Sequence, residues 1–262
     1  MKQRIITAVI AAAIFLPIVL YGGWPFLILT YLMATVGLYE ALKMKKIRLL
    51  SFPGLLPLII LWILLIPDRY GNLIEKWGYD KLQLLLFVVL IYLMYTVATK
   101  NRFTFDDAAF GVLAALYVGF GFYYLFETRN AGAAYVFLAL FIIWATDIGA
   151  YFIGRSIGKR KLWPEISPKK TIEGFLGGIV SACVVALVFV MTVHLEVAVP
   201  KLLIAAAIMA VFGQIGDLVE SALKRHYNIK DSGNILPGHG GILDRCDSWL
   251  FVLPLIHIFH IV

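Results

Sequence analysis

Residues 201–225 read KLLIAAAIMAVFGQIGDLVESALKR. After Lys201 the run is almost wholly apolar as far as Gly216. From there Asp217, Glu220, Ser221 and Lys224 recur at i, i+3, i+4 and i+7, which places them in one polar stripe along a helix. An amphipathic helix of a soluble protein carries its polar face along its whole length. This one is apolar at one end and striped at the other. Charge facing lipid costs ~2.5–3.5 kcal/mol or more near the bilayer centre. The stripe therefore predicts a membrane helix whose polar end faces a bundle interior or a water-filled cavity. The alternative is an intrahelical Glu220–Lys224 pair with the other groups serving as packing contacts.

The rest of the chain agrees with a membrane reading. Of its 262 residues 61% are hydrophobic and 15% charged, against ~25% charged in a typical soluble domain, and the mean hydropathy is +0.89. Apolar stretches of a length that crosses ~30 Å of hydrocarbon occur near 5–22, 24–42, 49–66, 82–99, 108–126, 131–154, 172–194, 201–222 and 246–262. The opening Met1-Lys2-Gln3-Arg4 resembles a signal-peptide head. The long stretch behind it and the immediate second span instead predict a retained helix. The expected fold is all-α: a polytopic integral membrane protein of about nine transmembrane helices in a single membrane domain, 1–262.

With the N-terminus inside, alternation of nine spans puts 18 Lys and Arg on the inner side and 5 on the outer (Arg69, Lys76, Lys81, Arg129, Lys201). That asymmetry is the positive-inside pattern. It accounts for the net charge of +7 as topology and attraction to anionic headgroups. A nucleic-acid partner is not expected, because no basic segment accompanies a recognisable binding fold. Cys183 lies within a span and Cys246 near the inner face, so no disulfide is expected.

Three further features carry chemistry. Asp147, in FIIWATDIGAYFIGR, lies deep in its span with Tyr151 at i+4. It is either a structural carboxylate bonded to a neighbouring helix or part of a site. The segment 226–249, HYNIKDSGNILPGHGGILDRCDSW, interleaves carboxylates and bases with Gly233, Gly238, Gly240 and Gly241. Such glycines allow close backbone approach and positive φ, and backbone nests of this kind favour anions. Asp244 and Asp247, at i and i+3, can point to one side of the last helix. Together with Asp217 they would make an oxygen-rich pocket suited to a hard cation such as Mg²⁺. On the same side, residues 155–178 carry six Lys and Arg, and Ser167-Pro168-Lys169-Lys170-Thr171 opens a helix in the manner of a phosphate site. Bases for phosphates beside carboxylates for metal predict phosphoryl or nucleotidyl transfer.

The run Ser221-x-x-Lys224-Arg225-x4-Lys230-Asp231-x-Gly233-x-x-Leu236-Pro237-x-His239-Gly240-Gly241-Ile242-x-Asp244-Arg245-x-Asp247 resembles the signature of the phosphatidate cytidylyltransferases, or CDP-diacylglycerol synthases. The segment from Asp147 through Gly154, Gly158 and Ser167–Thr171 to Glu173-Gly174 is similar to that family as well. Cys246 departs from it, standing where a larger apolar residue or Thr is usual, and a packing effect is expected.

The resemblance implies conversion of CTP and phosphatidic acid to CDP-diacylglycerol and pyrophosphate. It implies a homodimer in the inner (cytoplasmic) membrane that uses Mg²⁺, with K⁺ as a second cation; the Lys and Arg asymmetry puts the N-terminus and the active-site loops at the cytoplasmic face. Metal ligands would be Asp217, Asp244 and Asp247, with Asp147 helping to coordinate a cation or orienting a lysine. Phosphate binders would be Lys169, Lys170, Lys224, Arg225, Lys230 and Arg245, with Ser167, Thr171, Ser221, Gly240 and Gly241 at the substrate. His239 would donate to a phosphate or serve as a structural hydrogen-bonder. Residues 131–262 would then hold the catalytic helices and loops, and 1–130 the scaffold helices.

Two other classes compete. A transporter would use Asp147 and Asp217 as ion sites, but the polar groups crowd one face and no inverted halves are visible. A CTP-dependent lipid-alcohol kinase would release CDP rather than pyrophosphate.

Overall fold

The computed structural model describes residues 2–70, 76 and 78–262. Among the described residues there are nine α-helices: α1 (Lys2–Tyr21), α2 (Gly23–Met44), α3 (Phe52–Leu64), α4 (Lys81–Ala98), α5 (Phe105–Ala131), α6 (Ala133–Ile157), α7 (Ile172–Thr192), α8 (Val199–His226) and α9 (Leu243–Ile258). Each falls on one of the nine apolar stretches. In hydrocarbon every backbone polar group must be satisfied within the segment, so apolar runs of this length become helices. Seven are long and apolar enough to cross a membrane. The two shorter ones are α3, with 13 residues, and α9, with 16. Their apolar stretches are longer than the helices. Pro53 fixes the first turn of α3 and Pro67 follows its end, while glycine-rich chain precedes α9.

The helix boundaries have local causes. Gly22 and Gly23 both have positive φ (71° and 57°), so the chain leaves α1 and enters α2 across one residue. Asp80 and Gln83 close a capping box on α4, satisfying N–H groups that have no partner inside the helix. Thr171 caps α7 by accepting from the Gly174 N–H at 3.1 Å. Between α6 and α7 a two-stranded antiparallel hairpin, β1 (Lys161–Trp163) and β2 (Ser167–Thr171), pairs Lys161 with Thr171 and Trp163 with Ser167.

The chain divides into two compact units. The first comprises Met1–Glu127 and Ser232–Leu243, the second Thr128–Asp231 and Asp244–Val262. The first has a core of Phe26, Leu38, Leu61, Tyr92 and Phe122. In it the Tyr92 hydroxyl donates to the Pro53 carbonyl at 2.7 Å. Its helix α1 is hardly buried, and Ile5, Ile6, Val9, Ile10 and Ile14 are exposed, as side chains bathed in lipid would be.

The second unit is held by close approach of α6 and α7. A Cβ on Gly174 would lie 2.6 Å from the Ala150 carbonyl, and one on Gly178 2.9 Å from that of Thr146. Without a hydrophobic drive between helices in lipid, small residues that let backbones meet supply the packing energy. Gly174 and Gly178 therefore serve helix contact.

Candidate active site

Helix α8 organises the second unit's polar groups. Gln214, 4% exposed, donates to the carbonyls of Phe175 and Ala210, both at 3.2 Å, and so ties α8 to α7. One turn on, Asp217 pairs with Lys170 of β2 at 2.6 Å and accepts from the Ser221 hydroxyl at 3.3 Å. Lys170 also donates to the Gln214 carbonyl at 3.4 Å. The next turn carries Glu220, with no exposed surface, and Lys224. The Lys224 ammonium sits 2.6 Å from Glu220 and 2.6 Å from Asp244 of α9. The intrahelical Glu220–Lys224 pair thus exists, but its lysine is shared with a carboxylate twenty residues away. Among the described residues, the second oxygen of Glu220 is buried without a hydrogen-bond partner.

Around the Lys170–Asp217 pair lies a cavity of about 390 Å³, lined by Asp147, Tyr151, Arg155, Lys169, Lys170 and Asp217 among others. That volume is in the range of small-molecule sites. The hairpin brings Lys169 and Lys170 to it. Arg155 is steered by a 3.2 Å bond to the Tyr151 hydroxyl. Glu173, at the head of α7, accepts from the N–H groups of Lys159 and Arg160 at 3.0 and 3.2 Å, folding the chain before β1 back onto α7.

Asp147 on α6, Asp217 on α8 and Asp247 on α9 lie within electrostatic reach of one another. Where α8 meets α9, a Cβ on Gly216 would come 2.7 Å from the Asp247 carbonyl, and the Ser248 hydroxyl donates to the Gly213 carbonyl at 3.0 Å. Among the described residues, no group of three His, Cys, Asp or Glu is placed to hold an ion alone. Mg²⁺ commonly takes one or two carboxylates and completes its shell with waters and substrate phosphates, and the carboxylates present fit that use.

The structure therefore brings together Asp147, Asp217, Asp247, Lys169, Lys170, Thr171 and Ser221, and in a second cluster Lys224 and Asp244. Ser167 lies on β2 at the far end of the hairpin register from Thr171. Arg225, Lys230 and Arg245 are exposed. Cys246 is buried, 2% exposed, and both cysteines are free thiols. Arg155 was not singled out from the sequence, although its spacing of i+4 from Tyr151 and i+8 from Asp147 places it on the same helix face. His239, Gly240 and Gly241 belong to the first unit. There the Leu236 N–H donates to the Gly240 carbonyl at 3.0 Å, and the His239 N–H to the Leu236 carbonyl at 2.8 Å. Gly238 and Gly240, at φ 76° and 85°, permit this tight reversal, in which no other residue type would sit without strain.

Fold and cavity together define a polytopic helical membrane protein with lysines and carboxylates gathered inside its helices. Compared with known proteins, the chain matches the model of the cytidylyltransferase family over residues 2–262 and belongs to that family. It is 55% identical over 260 residues to the phosphatidate cytidylyltransferase of Bacillus subtilis (strain 168), covering 98% of this chain and 96% of the relative. It is 49% identical over 259 residues to that of Staphylococcus saprophyticus, and 48% over 258 residues to that of Staphylococcus aureus (strain COL), each with 98% of both chains covered.

Proposed function

We propose that this chain is a phosphatidate cytidylyltransferase, which joins CTP to phosphatidic acid and releases pyrophosphate. The observation that carries the reading is end-to-end similarity to proteins of that name. The cavity beside the Lys170–Asp217 pair is where we place the chemistry.

In the reaction a phosphate oxygen of the lipid bonds to the α-phosphorus of CTP. The bond from that phosphorus to the β-bridging oxygen breaks, and pyrophosphate leaves with the electron pair. The nucleophile is already ionised at neutral pH, so no strong base is needed; the obstacle is repulsion between anions. Lys169, Lys170 and Arg155 supply positive charge at one wall. Lys170 is held by Asp217 with its ammonium pre-oriented, so an arriving phosphate meets a fixed donor. Lys224 is fixed the same way between Glu220 and Asp244.

Asp217, Asp244 and Asp247 would hold Mg²⁺, with Asp147 helping to coordinate a cation and K⁺ as a second cation. When bound, such a cation neutralises charge building on the departing pyrophosphate. Arg225, Lys230, Arg245 and His239 are assigned to substrate phosphates, with Ser167, Thr171, Ser221, Gly240 and Gly241 as substrate contacts. The excess of Lys and Arg on one side supports a cytoplasmic placement of these loops in the cell membrane, where CTP is found. A homodimer completes the proposal.

The test is pyrophosphate release by the purified chain with CTP, Mg²⁺ and phosphatidic acid, each omitted in turn. Release that requires all three and yields a CDP-lipid is expected. Release of CDP instead would assign a lipid kinase, and no release beside an active control enzyme would refute the reading.

A further inference from the structure

Glu40 of α2 has no exposed surface. One carboxylate oxygen accepts from the Ile242 N–H at 3.0 Å. The other accepts from the Leu243 N–H at 2.9 Å and the Ser232 hydroxyl at 3.1 Å. A Cβ on either Gly233 or Gly241 would strike this carboxylate. One turn earlier on α2, Gly37 receives the Leu243 side chain, whose Cδ2 would lie 3.3 Å from a Cβ there. All of these groups belong to the first unit.

A buried carboxylate is a costly way to fill space, since desolvating it takes several kcal/mol. What it gives that leucine cannot is acceptor-only chemistry. The N–H groups of Ile242 and Leu243 open α9 and have no partner inside the helix. The helix N-terminus also favours negative charge. Glu40 thus caps α9 from another helix, and the same oxygens take Ser232, the first residue of the loop. Both ends of the 232–243 loop converge on one side chain. Immediately outside that clamp, in sequence, stand Lys230 and Asp231 on one side and Asp244 and Arg245 on the other. Inside it lies the His239 turn.

We propose that Glu40 is a positioning residue for nucleotidyl transfer: it closes the base of the 232–243 loop and fixes where α9 begins, and with it the register of Asp244 and Asp247. This rests on the cytidylyltransferase reading. Misplacing reacting groups by a fraction of an ångström lowers turnover more than it weakens substrate binding, so the signature lies in kcat.

The test uses the full chain in lipid nanodiscs. Glu40→Gln sets an amide donor against donors; Ser232→Ala removes one bond and leaves the carboxylate in place; Gly241→Ala presses on the carboxylate from the loop. Hydrogen exchange at Ile242 and Leu243 reports the clamp itself. Losing one hydrogen bond to a charged group corresponds to roughly tenfold to a hundredfold, so Glu40→Gln is expected to accelerate exchange there by about that factor. It should lower kcat per folded molecule about tenfold or more, with KM for CTP within about threefold of wild type. Ser232→Ala should move both readouts in the same direction and by less. It should add little on top of Glu40→Gln, because the two share one network.

Wild-type exchange or wild-type kcat in Glu40→Gln would overturn the proposal. So would a loss matched by reduced folded protein alone, with kcat per folded molecule intact. If Glu40→Gln does not accumulate, Ser232→Ala and Gly241→Ala decide by the same two readouts. A failure of the assigned reaction appears in the wild-type lanes, a failure of the Glu40 role only in the variants.

Discussion

Replacing Lys224 with methionine tests the charge arrangement on α8 most directly. The ammonium is 2.6 Å from each of two carboxylates, and the side chains of Lys224, Glu220 and Asp244 are 15%, 0% and 5% exposed. Methionine keeps most of the volume and removes the cation, leaving two buried carboxylates facing each other. Breaking a buried ion pair by deleting one partner costs about 3–5 kcal/mol, a large share of the ~5–15 kcal/mol that keeps a domain folded. At ~2–4 °C per kcal/mol for a chain of this size class, Lys224→Met should lower the thermal midpoint in detergent by about 6–20 °C. Neutralising the orphans as well, in Lys224→Met/Glu220→Gln/Asp244→Asn, should recover a substantial part of that loss, because the penalty lies in uncompensated charge and not in missing volume. A midpoint for Lys224→Met within about 2 °C of wild type would refute the arrangement. So would a triple variant less stable than the single one.

Asp217→Asn leaves Lys170 without its ion-pair partner and should cut pyrophosphate release by about a hundredfold or more, with folded yield unchanged in size-exclusion profiles; near-normal turnover would remove Asp217 from the site. Chelating divalent cations with EDTA should abolish turnover, and Mg²⁺ added back should restore it; activity persisting through chelation would exclude the metal role. Gly174→Ala forces a Cβ against the Ala150 carbonyl and should cost about 1–3 kcal/mol, read as a lower thermal midpoint, whereas Gly23→Ala, with open space at its Cβ, should be limited to the strain of a positive φ.

The helices were legible because the lipid solvent leaves little choice: an apolar run long enough to span must satisfy its backbone internally. Local pairs were legible too, and Glu220–Lys224 could be read from its spacing alone. The sharing of Lys224 with Asp244 could not, because that contact is made by two helices meeting and no periodicity encodes it. The hairpin at 161–171 was hidden by its composition, since Pro168 and a cluster of lysines read as loop and its strands are only three and five residues long. The glycines at 154, 174 and 178 carry no periodic signal of their own, and only the helix pairing shows Gly154 against Gly174 and Gly178 against Thr146. Glu40 was the deepest omission. It stands three residues before Lys43, near the end of its span, where a charge at the membrane boundary is ordinary. Its role depends on a loop nearly two hundred residues later.

Helix α1 carries a consequence for handling the protein. Only 6% of its apolar window is buried by the rest of the chain. Among its ties are the glycine turn into α2, the Thr7 hydroxyl bonded to the Pro237 carbonyl at 3.0 Å, and Arg4 against Gly238. In a membrane, acyl chains would line the exposed face of α1. Stripping lipid during extraction would then act first on the segment whose far end touches the His239 turn. Native lipid belongs in the preparation as a cofactor belongs in a holoenzyme.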